Sequence, residues 1–301
     1  MDGWIILDKP LGLGSTQGVA AVKRALREAG QPKRKVGHGG TLDPLATGVL
    51  PIAVGEATKL AGRMLDSDKV YDFTIRFGEE TDTLDGEGAV IAISDARPAR
   101  AQVQAVLPRF TGPIEQIPPA YSALKVDGAR AYDLARAGET VTLASRSVTI
   151  HALTVINMSE DAATLTAHVS KGTYIRSLAR DIAHALGTVG HVTMLRRTKA
   201  GPFTLRQAIG LDKLAELAKA RTLEDTLLPL SAGLDDIPAF ALDPDQAGEL
   251  RQGRVLVGVA ADDGPMVAML DGVPLALVEV QDGNVRVVRG FNLSMSKEDP
   301  E

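Results

Sequence analysis

Over residues 70–77 apolar side chains fall on alternate positions, with Tyr71, Phe73 and Ile75 on one side, which predicts a strand with one buried face. A loop rich in Gly, Asp and Thr follows over residues 78–88. Residues 89–93 then resume in extended form, so the pattern predicts two strands joined by a polar loop. Further strands are predicted at 5–7, 148–157, 164–170 and, briefly, 194–196. The period changes to the helical one after Ser15, an N-cap candidate. Val19, Val22, Leu26 and Ala29 share one face there, and Gly30 stops the run. Leu178, Ile182, Ala185 and Leu186 form a second helical stripe closed by Gly187. Shorter helices are predicted at 101–110 and at 129–137, the latter after an Asp127-Gly128 turn and ending at Gly138. Pro118-Pro119 is rigid and extended. Helices and strands mix without regular βαβ alternation. The reading is α+β, with a central mixed, largely antiparallel sheet flanked by helices.

The pattern changes again near residues 233–238. Asp243 caps, Pro244 starts and Gly253 stops a short helix. Short strands follow at 255–259, 266–270, 275–280 and 285–289, the later ones joined by Asp271-Gly272 and Asp282-Gly283 turns. The expected organisation is a large domain over 1–234, a small β-barrel-like module over 235–293, and a loose tail over 294–301.

Composition narrows the function classes. The 301 residues include no cysteine, which removes disulfides, thiolate metal sites and a Cys nucleophile. The first residues lack a basic leader pattern, and no run of 18 apolar residues occurs, so a cytoplasmic chain without a membrane partner is expected. The net charge of −5 is unevenly spread. Residues 235–301 hold 13 acidic and 5 basic side chains, a net of −8, which leaves +3 on residues 1–234. Two basic clusters suit a nucleic acid: Lys23, Arg24, Arg27, Lys33, Arg34 and Lys35, then Lys171, Arg176, Arg180, Arg196, Arg197, Lys199 and Arg206. Neither a P-loop nor a G-x-G-x-x-G after a strand occurs, and the five histidines show no metal-ligand spacing. No cofactor and no metal are expected.

The run Gly37-His38-Gly39-Gly40-Thr41-Leu42-Asp43-Pro44-Leu45-Ala46-Thr47-Gly48-Val49-Leu50 concentrates the chemistry. It sets one carboxylate, Asp43, in a glycine-dense loop closed by proline. Glycines allow positive φ and close approach of another surface, and a carboxylate held there can act as a nucleophile. The same letters also suit a tight turn with Asp43 as a helix N-cap and Pro44 at the first helical position.

Extended from Lys35 to Pro51 and followed by Gly55-Glu56-Ala57-Thr58-Lys59, the run resembles the signature of the TruB family of bacterial tRNA pseudouridine synthases. Asp8-Lys9-Pro10-Leu11-Gly12, Lys69-Val70-Tyr71, Gly78 with Thr81, Thr83 and Asp85, and Pro118-Pro119-Ala120-Tyr121-Ser122-Ala123-Leu124-Lys125 match in order. Gly172-Thr173-Tyr174-Ile175-Arg176-Ser177-Leu178 and Leu195-Arg196-Arg197-Thr198 complete a resemblance over residues 3–230. One departure is Leu13-Gly14-Ser15, with glycine where the family usually has threonine. The last module is similar to the family's PUA-like RNA-binding ends in length, position and strand pattern.

The resemblance implies an isomerase that converts the T-loop uridine U55 of tRNA to pseudouridine without a cofactor, acting as a monomer. Asp43 would be the nucleophile, attacking C6 of the base or C1′, or assisting removal of a C2′ proton. A nucleophilic carboxylate must be ionised, which a nearby cation favours. Arg176 matches the family's active-site arginine, with Asp85 as a second carboxylate holding it. Tyr71 matches the tyrosine that stacks on the flipped uracil, Tyr174 a second pocket tyrosine, and His38 a residue that helps displace the base. Leu195 is expected as a pocket wall, and Lys59 and Lys125 as phosphate contacts. Two other readings compete: an RNA-binding or tRNA-folding protein with secondary or no catalysis, and a glycoside hydrolase using Asp43 and Asp85 as its carboxylate pair.

Overall fold

The computed structural model describes residues 1–122, 124–126, 129–137 and 143–293. Its scaffold is a ten-stranded sheet. From one edge its main path runs through the strands Leu228–Pro229, Gly3–Lys9, Ala46–Val54, Gly190–Ala200, Lys69–Phe77, Ala162–Val169, Arg146–Met158 and Gly112–Gln116. Along this path the pairings are antiparallel except that of Ala46–Val54 with Gly190–Ala200, where Leu195 lies opposite Ala46. The mixed, largely antiparallel sheet is thus observed.

Alternation decides which face is dry. Phe73, Ile75 and Phe77 are buried together with Leu165, Ala167 and Val169 against the helix Ile175–Ala185 and the helix Arg100–Val106. Leu178, Ile182 and Ala183 supply that helix's inner stripe. On the other half of the sheet, Ile5, Leu7, Leu50 and Ile52 pack under the helices Ser15–Glu28 and Leu211–Ala220. Each such large side chain contributes about 1.5–3 kcal/mol by leaving water. Tyr71 and Leu195 touch both clusters, so they mark the seam between them.

Several expectations shift. The strand Gly190–Ala200 is eleven residues long rather than a short 194–196 segment. It lies between two neighbours and carries register shifts at Val192/Met194 and Arg197/Lys199, which break the alternation a sequence reader looks for. Residues 89–93 do not form a hairpin with residues 70–77. Val90–Ile93 pairs instead with Glu79–Thr81 in a separate two-stranded ribbon. The 101–110 helix narrows to a 3₁₀ turn at Leu107–Phe110, where Pro108 lacks an N–H. The Asp127-Gly128 turn, Gly138 and the 294–301 tail lie outside the described residues.

After residue 235 a helix spans Pro244–Arg251, capped as expected by Asp243, whose Oδ1 accepts from Gln246 N at 2.8 Å. A five-stranded sheet runs in the order Ala239–Ala241, Gly264–Leu270, Val273–Gln281, Asn284–Gly290, Leu256–Val257. Both Asp-Gly turns have positive φ at each residue, 51° and 76° at Asp271-Gly272 and 51° and 69° at Asp282-Gly283, as a tight hairpin requires. This is the PUA-like module, curled on itself. Its Val267 and Phe291 join Trp4, Ile6, Val49 and Phe203 in one buried cluster, so it rests on the back of the large sheet.

Candidate active site

The segment 39–45 runs between the strands Val36–His38 and Ala46–Val54. Asp43 does not cap a helix. Its carbonyl accepts from Ala46 N at 3.0 Å, closing a turn that feeds directly into a strand. Three side chains clasp this segment from below. Ser15 Oγ accepts from Leu42 N and donates to Leu42 O, both at 2.8 Å, so Ser15 ties the first helix to the loop instead of capping it. The N-cap is Gly14, whose N–H donates to Gln17 Oε1 at 2.7 Å, and the departure from the family's threonine thus stays at the helix start. Buried Arg197 donates to the carbonyls of Gly40 at 3.1 Å, Thr41 at 3.2 Å and Val49 at 2.7 Å. Gly48 makes this approach possible. Its φ is +100°, and a Cβ there would lie 2.2 Å from the Arg197 carbonyl oxygen.

The third clasp is Lys9, also buried, whose Nζ donates to the carbonyls of Leu13 at 2.6 Å, Pro10 at 3.0 Å and Pro44 at 3.3 Å. Burial pushes this ammonium down to about 8, with Asp43 opposing the shift and Arg197 adding to it. An unfolded lysine titrates near 10.4. Between those values the unfolded chain binds more protons, so this group makes stability rise with pH. Urea denaturation of wild type and Lys9→Met should show the difference moving in favour of wild type from about pH 7 to about pH 10. A difference that stays constant would refute the buried-cation reading.

Above the loop, Arg176 at the start of the helix Ile175–Ala185 is buried, and its guanidinium is fully engaged at both terminal nitrogens. Nη2 donates to Asp43 Oδ2 at 3.1 Å and to Tyr121 O at 3.0 Å. Nη1 donates to Asp85 Oδ2 at 3.1 Å and to Thr83 O at 2.9 Å. Asp85 is itself held: its Oδ1 accepts from Thr83 Oγ1 at 2.5 Å and Glu87 N at 3.1 Å. The loop carrying it passes through Leu84 at φ 62°, an uncommon conformation for a residue with a Cβ. Asp43, by contrast, has 52% of its side chain exposed, so one end of the arginine bridge is buried and the other faces a cavity.

That cavity is about 200 Å³ and is walled by Asp43, Tyr71, Tyr174, Leu195, Ala46 and Arg176. It shares Asp43, Ser122 and Arg176 with a wider cleft of about 560 Å³. Tyr71 and Leu195 reach it from adjacent strands. Tyr174 is set by Gln116, which is fully buried: Oε1 accepts from Tyr174 N at 2.8 Å and Nε2 donates to Tyr174 O at 3.1 Å. Burial pushes the Tyr174 phenol up, with Arg146, whose guanidinium lies 5.7 Å from the ring centre, opposing. His38 sits at the loop's entrance, with Nδ1 3.4 Å from Gly40 N. Burial and then Arg197 push its imidazole down, which favours the neutral form.

The structure therefore brings together Asp43, Tyr71, Arg176, Tyr174, Leu195 and Asp85, with His38 beside the loop. It places Lys59 elsewhere. Lys59 Nζ donates to Glu56 Oε2 at 2.7 Å and to Gly290 O at 2.9 Å, joining the large domain to the C-terminal module. The Lys125 side chain lies outside the described residues. The second basic cluster is mostly spent internally: Arg176 and Arg197 are buried, while Arg180, Arg196 and Lys171 pair with Asp181, Asp8 and Asp66 at 2.8, 2.8 and 2.9 Å. Lys33, Arg34 and Lys35 remain exposed. Sequence reasoning missed the positioning roles of Lys9, Ser15, Gln116 and Arg197. Lys9 and Arg197 stood inside matched motifs, but nothing in their spacing distinguishes a buried clasp from a surface cation.

The fold is that of pseudouridine synthases of the Cbf5 type. The protein chain matched in an H/ACA ribonucleoprotein bound to a substrate RNA containing 2′-deoxyuridine superposes with a TM-score of 0.74 at 23% identity, covering 96% of this chain and 84% of that one. A Cbf5–Nop10–Gar1 complex gives 0.73 at 23% identity, over 97% and 84%. The tRNA pseudouridine synthase B of Novosphingobium aromaticivorans is 70% identical over 298 residues, 97% of this chain and 98% of its own. That of Zymomonas mobilis is 63% identical over 292 residues, 97% and 96% of the two chains. The N-terminal domain of the TruB family pseudouridylate synthases matches residues 24–175, and the tRNA pseudouridylate synthase B C-terminal domain matches 176–235. With these matches, the chain belongs to the TruB family of pseudouridylate synthases. Among the described residues no helix is long and apolar enough to cross a membrane.

Proposed function

We propose that this chain isomerises uridine to pseudouridine at U55 in the T-loop of tRNA, with Asp43 as the nucleophile. The observation that carries the reading is the Asp43–Arg176 pair at the mouth of a base-sized cavity flanked by two tyrosines. The C1′–N1 bond breaks, the uracil turns, and a C1′–C5 bond forms. C5 gives up its hydrogen as a proton, N1 gains one, and no electrons are transferred. The geometry leaves three uses of Asp43 open: attack at C6, attack at C1′, or help in removing a C2′ proton.

A stacked base has to leave the helix to meet Asp43. Flipping costs a few kcal/mol, and stacking on an aromatic face returns about 1–3 kcal/mol. In this reading Tyr71 supplies that face, Tyr174 and Leu195 bound the pocket, and His38 helps displace the base. Tyr174 stays a neutral phenol, in keeping with its raised ionisation and its place beside a carboxylate. Lys33, Arg34, Lys35, Lys59 and Arg289 line, with Asp2 and the Lys59 partner Glu56, a separate hollow of about 510 Å³ in which cations outnumber carboxylates. It suits RNA phosphates and links residues 1–234, read as the catalytic domain, to residues 235–293, read as an RNA-binding module. The chain is taken to act as a cytoplasmic monomer, and Lys125 is retained as a phosphate contact.

Tritium release tests the reading, because joining the base through C5 must expel that hydrogen. With tRNA labelled at uridine C5, release of one tritium per molecule is expected, and none when cytidine replaces U55. Release from the substituted tRNA would move the target to another uridine. No release from either, with binding intact, would favour the RNA-folding reading.

A further inference from the structure

On the sheet face turned away from Tyr71, two histidines converge on one carboxylate oxygen. His151 Nε2 is 3.1 Å and His168 Nε2 is 3.7 Å from Asp68 Oδ2. The imidazole centres are 4.7 Å apart and tilted by 48°. We propose that Asp68, His151 and His168 form a binding site for a divalent first-row transition-metal ion, with Zn²⁺ as the best match to this donor set.

The fold builds the trio from distant parts of the chain, which is why histidine spacing gave no sign of it. His168 lies opposite Val70 and Ala167 opposite Tyr71, so His168 projects from the face that Tyr71 does not use. In the neighbouring strand Ile150 pairs with Val169 and Ala152 with His168, which leaves His151 as the extra residue of a bulge. Such a bulge re-aims a side chain. Ile150 and Leu153 are both buried while His151 and Ala152 both face out, so the bulge sets His151 beside His168. The Asp68 backbone is tied on both sides. Gly201 N donates to Asp68 O at 3.0 Å, and Lys69 Nζ donates to Met64 O and Leu65 O at 2.8 Å and also to Ser67 O.

The chemistry favours a metal over a plain ion pair. Two imidazole nitrogens and one carboxylate oxygen facing a common point are a donor set that a divalent transition-metal ion takes up together. The three ligand atoms all lie within 4.8 Å of one another. Tetrahedral zinc, with bonds of about 2.1 Å, places its ligand atoms about 3.4 Å apart, so small rotamer changes close the site. Solvent supplies the remaining positions, since Asp68 and His151 are exposed. Nearby Asp66 is engaged by Lys171 at 2.9 Å. Magnesium, which demands an octahedron of oxygens, fits poorly. Bound metal would link the residue just before the strand Lys69–Phe77, the interior of Arg146–Met158 and the end of Ala162–Val169, the last of which leads into the Thr173–Arg176 segment of the candidate active site.

Isothermal titration of ZnCl₂ into the untagged, chelator-stripped full chain tests the site. Binding of one Zn²⁺ is expected, with MgCl₂ failing to compete. His151→Ala, His168→Ala and Asp68→Asn should each weaken it by at least about tenfold. His184→Ala serves as control: His184 meets Glu80 at 2.5 Å with no second imidazole, and its loss should change nothing. All three ligands are surface side chains, and matching melting curves without metal would establish that the variants fold. The melting temperature of wild type, but not of the histidine variants, should rise with Zn²⁺. Absence of Zn²⁺ binding, or one bound Zn²⁺ that survives both histidine substitutions, would overturn the proposal.

Discussion

Asp43→Asn is expected to bind tRNA with near wild-type affinity and to lose turnover by at least about 10⁴-fold, the scale seen when a reacting group itself is removed. The substitution keeps the size of the side chain and removes its charge. Asp43's charge supports the buried Lys9 ammonium and the Arg176 guanidinium, but the fold of the loop rests chiefly on other contacts. The loop is held by Ser15, Arg197 and Lys9 through its backbone carbonyls and the Leu42 N–H, and the Asp43 side chain is half exposed. Arg176 loses one of four acceptors and keeps Asp85, Thr83 and Tyr121. Binding, which rests on phosphates and on stacking of the flipped base, should therefore survive. Single-turnover tritium release and a filter-binding titration on the same preparations separate the two quantities. Turnover within about tenfold of wild type would remove Asp43 from the nucleophile's role.

How much of this arrangement was legible beforehand differs by kind of feature. The strand at Lys69–Phe77 and the helices at Ser15–Glu28 and Ile175–Ala185 were plain, because each has one wet and one dry side and the period shows it. The strands Ala46–Val54 and Gly190–Ala200 were not. Nearly every side chain of the first is buried, and the second is interrupted by two register shifts, so neither alternates. Yet these two strands make the parallel pair on which the cavity is built. The candidate site residues were legible only as a resemblance. Asp43, Asp85 and Arg176 are 133 and 91 residues apart in the two pairs they form, and no local rule connects them. The supporting clasp was illegible for a different reason. A lysine or arginine normally signals surface, and the cost of burying Lys9 and Arg197 is offset by backbone carbonyls that a sequence does not display.

Arg176→Lys is the second large loss expected, and it tests the electrostatic frame rather than the nucleophile. Four N–H groups on two nitrogens serve two carboxylates and two carbonyls, all within 3.1 Å. A planar fork can do this, whereas an ammonium is a compact charge with three donors on a flexible stem. Lysine would have to choose between Asp43 and Asp85. The inner carboxylate, with 12% of its side chain exposed against 52% for Asp43, has less access to water and should hold the cation. Asp43 would then lose its fixed partner and its direction toward the base. A loss of about 10²–10³-fold in the rate of the chemical step is expected, with KM little changed, as follows when orientation rather than binding is removed. The carbonyls of Thr83 and Tyr121 would also compete for too few donors, so stability should fall by about 1–3 kcal/mol. Rapid-quench kinetics with saturating tRNA and a urea melt measure the two losses independently. If the chemical step stayed within about threefold of wild type while the melt shifted, Arg176 would be a structural strut and the Asp43–Arg176 contact incidental to the reaction.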